Sequence, residues 1–214
     1  MKYSAEPVLA ELDRLNVARE VSLAACRRAI RLAGSAVRAV HTRQPERASA
    51  LLAQCEQAVR EAQVALGPFP AIAYAGFLQD AEKEMAEAVL TRALVEGAEL
   101  PDWSSLSIGL APWLNGLCEA ASELRREVLD HLREGQAQRA EELLEAMDAV
   151  YELVTGVDFP DAVTGGLRRS ADALRAVLER TRSDLTTTSL QLRLQKTMEA
   201  LSRRLPDLAS GGIG

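Results

Sequence analysis

Lys83-Glu84-Met85-Ala86-Glu87-Ala88-Val89 sits inside a longer run in which Leu78, Ala81, Met85 and Val89 recur at helical spacing. That recurrence is the apolar stripe of an α-helix, and it predicts a helix from about Ile72 to Glu96. At about 100° per residue, Glu87 falls nearly opposite the stripe and Glu84 partway round, one turn apart on the same side. A second pair of acids, Glu119 and Glu123, stands in Leu117-Cys118-Glu119-Ala120-Ala121-Ser122-Glu123-Leu124 on another predicted helix. If those two helices pack with these faces converging, the four carboxylates form an all-oxygen cluster of the kind that suits Mg²⁺ or Mn²⁺.

The same periodicity extends in both directions. Residues 4–41 read as one long helix or two collinear ones, with Val8, Leu12 and Leu15 and then Leu23, Cys26, Ile30, Ala33, Val37 and Val40 on the stripe. The near-heptad spacing predicts a helix lying along partners for much of its length. Pro45 suits the first turn of the next helix, which presents Ala48, Leu51, Cys55, Val59, Ala62 and Leu66 and stops at Gly67-Pro68-Phe69-Pro70. The link from Gly97 to Gly109 exceeds the usual connection, so it crosses the molecule or forms a surface loop.

Pro112 opens a fourth helix that buries Trp113, Leu114, Leu117, Ala121, Leu124, Val128 and Leu132. A fifth buries Ala140, Leu143, Leu144, Met147, Val150 and Val154. Thr164 is a candidate N-cap for a sixth, on which Arg168, Asp172, Arg175, Glu179 and Arg182 alternate in charge. Thr186-Thr187-Thr188-Ser189 is expected to interrupt the chain before a last helix from about Leu190 to Arg204. The expected architecture is all-α: a single-domain bundle of about seven helices over residues 1–205, with a loose tail at 206–214.

Composition narrows the function. Only 13 Gly, 8 Pro and 4% aromatic residues accompany abundant Ala, Leu, Glu and Arg, which agrees with helix. No uninterrupted apolar run is long enough to cross a membrane, and Met1-Lys2-Tyr3-Ser4-Ala5-Glu6-Pro7 lacks the apolar core of a signal peptide. The expected location is the cytoplasm, with no membrane partner. Cys26, Cys55 and Cys118 are scattered on apolar stripes and read as small buried hydrophobes in a reducing compartment. The Walker-A, nucleophile-elbow and zinc-protease HExxH motifs are absent from the sequence, so phosphate-loop chemistry and zinc proteolysis lack support.

A net charge of −6 argues against a generic nucleic-acid binder, but the charge is unevenly spread. Residues 26–47 carry six Arg and one Glu, whereas residues 119–152 carry ten acids and four Arg. Arg27, Arg31 and Arg38 flank the first stripe on one side, with Arg28 further round. They form either a solvated basic flank or a phosphate-binding strip. His41, at the end of that helix, is placed to cap a free carbonyl. With His131 as the only other histidine, metal ligation by His41 is not expected.

Three readings of the acids compete. The most economical is that Glu84, Glu87, Glu119 and Glu123 solvate the outer faces of two amphipathic helices, since each lies off its own apolar stripe. A ferritin-like dimetal bundle needs paired Glu-x-x-His motifs, and the nearest match here is Glu127 with His131 at the wrong spacing. The third is a hydrolytic Mg²⁺ or Mn²⁺ site, in which the metal activates water against a phosphodiester. Four crowded carboxylates raise one another's pKa, and a divalent cation relieves that repulsion.

In order and spacing, several stretches together resemble the translin superfamily, over about residues 20–200. They are Arg27-Arg28-Ala29-Ile30-Arg31 with Ala39-Val40-His41, Glu84-Met85-Ala86-Glu87-Ala88-Val89, and Gly116-Leu117-Cys118-Glu119 with Ser122-Glu123-Leu124-Arg125-Arg126. Asp158-Phe159-Pro160 with Leu167-Arg168-Arg169-Ser170-Ala171-Asp172-Ala173-Leu174-Arg175, and the Glu179–Thr186 run, which looks like the family's final basic helix, complete the set. Within the superfamily the chain looks like the archaeal and bacterial relatives of TRAX (translin-associated factor X), because translin subunits lack the first acid pair.

The resemblance implies a seven-helix fold that assembles into a hollow homo-oligomer, an octamer in the family, with RNA on its basic interior. It implies a metal-dependent endoribonuclease acting on single-stranded RNA, with single-stranded DNA left open as a ligand. Carried over residue by residue, Glu84, Glu87, Glu119 and Glu123 become the catalytic and metal-binding acids, with Mg²⁺ or Mn²⁺ as cofactor. Arg27, Arg28, Arg31, Arg38 and His41 become the RNA-binding strip. Two departures stand out. Glu119 occupies a position where TRAX has Asp, and Tyr74-Ala75-Gly76-Phe77-Leu78-Gln79-Asp80 lacks the basic residues that translin carries there. An assembly that binds without cleaving, and a helical scaffold, are the alternatives.

Overall fold

The computed structural model describes residues 4–73 and 76–204. The expected tail at 206–214, the start of the chain at Met1–Tyr3 and the pair Tyr74-Ala75 lie outside the described residues. Among those described there is no strand. The helices are α1 (Glu6–His41), α2 (Pro45–Leu66), α3 (Pro70–Ala73), α4 (Phe77–Glu96), α5 (Leu110–Arg133), α6 (Ala137–Thr155), α7 (Asp161–Thr164) and α8 (Leu167–Arg204). Six are long, and α3 and α7 are single turns.

Two expected elements divide differently. The helix foreseen from Ile72 to Glu96 is broken into α3 and α4, and Gly76 sits before α4 with φ 93°, a left-handed conformation that a side chain disfavours. The two helices foreseen on either side of Thr186–Ser189 are one, α8. Thr186 Oγ1 donates to Arg182 O at 2.8 Å, so its hydroxyl bonds back to the preceding turn and stays inside the helix. Thr164 does not cap α8; it ends α7 and is buried.

α1 packs on α2 and α4, α4 on α5, and α5 on α6 and α8, with α6 also against α8. The α1 seam is narrower than the sequence stripe suggests. Its fully buried line is Ala25, Cys26, Ala29, Ala33, Ala36 and Ala39, while Ile30 and Val37 are only partly buried. Small side chains let the α1 and α2 backbones approach closely, and Cys55 Sγ reaches Ala29 O at 3.3 Å. The three cysteines are buried and unpaired, and burial pushes the Cys55 and Cys118 thiols up to about 12. The buried faces foreseen for α5 and α6 are observed as read.

α1 is 36 residues long and α2 only 22, so the first turns of α1 run beyond their partner. Of the expected stripe, Val8 and Leu12 are more than half exposed and Leu15 is only partly buried; Leu9, Val17 and Val21, off that stripe, are exposed as well. The C-terminal half of α8 likewise exposes Leu190, Leu194, Met198 and Leu201.

The long link from α4 to α5 lies over the core. Ile108 is buried, and Trp113 Nε1 donates to Pro101 O at 2.9 Å while its ring meets Trp103 edge-on, centroids 5.9 Å apart. Buried Glu82 ties this link to α2: Gln63 Nε2 donates to Glu82 Oε1 at 2.8 Å, and Gly109 N donates to Oε2 at 3.3 Å. The link thus fixes how α4 and α5 enter their contact.

Candidate functional site

Gly116 decides how closely α4 and α5 meet. A Cβ at Gly116 would lie 2.8 Å from Ala86 Cβ, 2.8 Å from Lys83 O and 3.0 Å from Glu87 N. Only glycine admits the α4 backbone at that distance, and the contact falls between the two acid pairs. One carboxylate oxygen from each of Glu84, Glu87 and Glu119 therefore comes within 4.8 Å of the others. The three side chains are half-buried, so faces that look outward in sequence terms are sheltered where the helices meet.

The electrostatics of this group are uneven. Burial, reinforced by the charges of Glu119 and Glu84, pushes the Glu87 carboxyl up to about 8, so it holds a proton at neutral pH. The Lys83 ammonium lies 2.6 Å from both Glu119 oxygens and 3.1 Å from Glu84 Oε1. Burial alone would lower the Lys83 pKa, but its hydrogen bonds and the charges of Glu119 and Glu84 raise it, keeping the amine charged.

Glu123 belongs to a neighbouring group. His41 Nε2 is 2.7 Å from Glu123 Oε2, and His41 Nδ1 is 2.7 Å from Glu127 Oε1. The His41 and Glu127 side chains are only 2% and 5% exposed. Burial would depress the imidazole, but the two carboxylates outweigh it and raise its pKa to about 9. A doubly bonded imidazolium donates from both nitrogens, and its hydrogen bond holds the Glu123 carboxyl below its ordinary value. The capping expected of His41 falls to other groups, since Thr42 N donates to Arg38 O at 3.0 Å. Both His41 ring nitrogens are thus engaged by carboxylates of α5. The spacing of Glu127 and His131 does not produce a pair either: His131 Nδ1 lies 2.6 Å from Gln136 Oε1.

Arg27, Arg28, Arg31 and Arg38 are all exposed on α1. Arg28 pairs with Glu61, and Arg38 Nη2 donates to Ser35 Oγ at 3.3 Å. Arg27 and Arg31 have no ion-pair partner among the described residues. Sequence assigns no role to Lys83, to Gly116 or to the grip of His41 on two acids, and it brings in Glu127 only beside His131. Glu119, Glu123 and Glu127 repeat at intervals of four, a signal that could have placed all three on one face of α5.

A helical bundle of this order matches solved structures. The structure of AfC3PO with duplex RNA superposes with a TM-score of 0.79 at 31% identity, covering 87% of this chain and 96% of that one. AfC3PO alone superposes with the same score and identity, covering 97% of that chain. Apo-NeC3PO, at 14% identity and a TM-score of 0.79, shares the fold. An uncharacterised protein of Methanocaldococcus jannaschii is 28% identical over 135 residues, 63% of this chain, and the match spans 60% of that protein's length. No family model matches. The chain belongs to the translin superfamily.

Proposed function

We propose that this chain is a TRAX-like, divalent-metal-dependent endoribonuclease that cleaves single-stranded RNA within a homo-oligomeric shell. The observation that carries this reading is the convergence of Glu84, Glu87 and Glu119 within 4.8 Å. The donor set fits Mg²⁺ or Mn²⁺. Its oxygens are hard ligands, burial together with the neighbouring carboxylates keeps a proton on Glu87, and the acids already draw in an ammonium. A divalent cation bound there would neutralise the acids and make both a water and a phosphodiester more reactive.

The chain's own residues do the rest. Glu84, Glu87 and Glu119 would hold the ion. Glu123, kept ionised by His41, positions the attacking water and can take its proton. Arg27, Arg31 and Arg38 supply exposed positive charge for phosphates.

Assembly is supported by the two overhanging helical faces. Residues 6–21 carry Glu6, Glu11, Asp13 and Glu20 against Arg14 and Arg19. The apolar stripe of α8 is accompanied by Arg193, Lys196 and Arg203 against Glu199. Unpartnered apolar faces of opposite charge suit contact between copies, and the octamer of the family is the assembly we assign.

Incubating labelled single-stranded RNA with Mg²⁺, the protein and Glu123→Ala tests the proposal. Cleavage by the wild type alone is expected; cleavage by both or by neither refutes it. A binding assembly without turnover is the second reading, favoured by the lysine that already satisfies Glu84 and Glu119. Salt-sensitive RNA binding without products would select it. Duplex RNA belongs in the same assay, because AfC3PO is seen with duplex RNA.

A further inference from the structure

Lys83 occupies the acid group as a cation would. Its Nζ touches both oxygens of Glu119 at 2.6 Å and Glu84 Oε1 at 3.1 Å, and its side chain is 24% exposed. Lys83 lies in the middle of α4, so its backbone is held by the helix, which packs directly on Gly116 of α5. The ammonium can leave only by rotating the side chain, and there is a place for it to go. Lys83 also lines a cavity of about 190 Å³ with Asp80, Asn115, Arg169 and Ser170. Asp80 stands one turn before Lys83 on α4 and has no ion-pair partner among the described residues.

We propose that Lys83 is a built-in counter-cation that a divalent ion must displace, its ammonium passing from Glu119 and Glu84 to Asp80. Lys83 is then a positioning residue that sets the metal affinity of the site. Without it the carboxylates would repel one another in the metal-free protein. With it, a single positive charge holds them in place, and only an ion of higher charge gains enough to replace it. The inference rests on the metal-binding reading of Glu84, Glu87 and Glu119.

Mn²⁺ binding to the full chain by titration calorimetry, at fixed pH and salt and with helicity checked by circular dichroism, tests it. Lys83→Met removes the competitor and should bind Mn²⁺ at least about tenfold more tightly than wild type. Lys83→Arg keeps the charge and should stay near wild type. Asp80→Asn removes the alternative partner and should bind severalfold more weakly. The melting temperature of metal-free Lys83→Met should fall below wild type, and saturating Mn²⁺ should raise it by more than it raises wild type. Lys83→Met that folds and binds Mn²⁺ no more tightly than wild type overturns the assignment. Mn²⁺ bound by none of the proteins overturns the metal reading itself, and Lys83's role with it.

Discussion

Gly116→Ala is the sharpest perturbation the structure offers. A methyl there meets Ala86 Cβ and Lys83 O at 2.8 Å, where nonbonded carbon contacts settle near 3.5–4.0 Å. α4 and α5 must separate by on the order of 0.7–1 Å, and overpacking of that kind costs about 1–3 kcal/mol. Alanine in a helix interior returns about 1 kcal/mol over glycine, leaving a net loss of about 0–2 kcal/mol. Gly34, inside α1, has nothing within 4 Å of its Cβ position, so Gly34→Ala keeps the propensity gain alone. The same substitution should therefore destabilise at 116 and stabilise at 34, with the two variants about 1–3 kcal/mol apart. Urea unfolding at one protein concentration reads the difference. If both variants are stabilised equally, the close approach of α4 and α5 does not exist. Separation would also spread Glu84 and Glu87 from Glu119, so Mn²⁺ affinity should fall in Gly116→Ala and hold in Gly34→Ala.

Other outcomes follow from the ionisations and the packing. His41→Ala leaves Glu127 buried without a partner and should cost about 3–5 kcal/mol by denaturant unfolding. Because the imidazole moves from 6.5 up to about 9, its stabilisation is complete below pH 6.5 and disappears as pH rises through 9. A pH series of melting temperatures in which His41→Ala matches wild type at pH 6 would refute this. The Glu87 carboxyl moves the other way for its class, from 4.5 up to about 8, so metal-free protein should lose stability as pH rises across that window. Glu87→Gln should remove that loss and melt above wild type at pH 8. Thr91 Oγ1 is buried without a hydrogen-bond partner, so Thr91→Val should gain about 1 kcal/mol; a loss of similar size would reveal a hidden partner.

Periodicity made most of the bundle legible. The buried faces of α5 and α6 follow from residues three and four apart, because a partner covers each helix along its length. The same rule misled at Val8 and Leu12, since a sequence stripe records that a face is apolar but not what covers it. It also overstated the break at Thr186, because threonine disfavours helix only until its hydroxyl finds the carbonyl of the preceding turn. Of the site, helical geometry placed each acid pair on one side of its helix, and the family resemblance brought the two helices together. Sequence could not reveal that Lys83 stands among those acids or that His41 reaches across from α1. Both depend on interhelix distance and side-chain direction, which Gly116 and the Ala-lined seam of α1 control.

The tie from His41 to Glu123 spans 82 residues, whereas Lys83 and Glu119 are only 36 apart. Closing a longer loop costs more chain entropy, so the α4–α5 hairpin can gather Glu84, Glu87 and Glu119 before the N-terminal helix has docked. Glu123 and Glu127 must wait for α1. The site therefore has a local part, within the α4–α5 hairpin, and a longer-range part, in which the His41 imidazole ties α1 to α5.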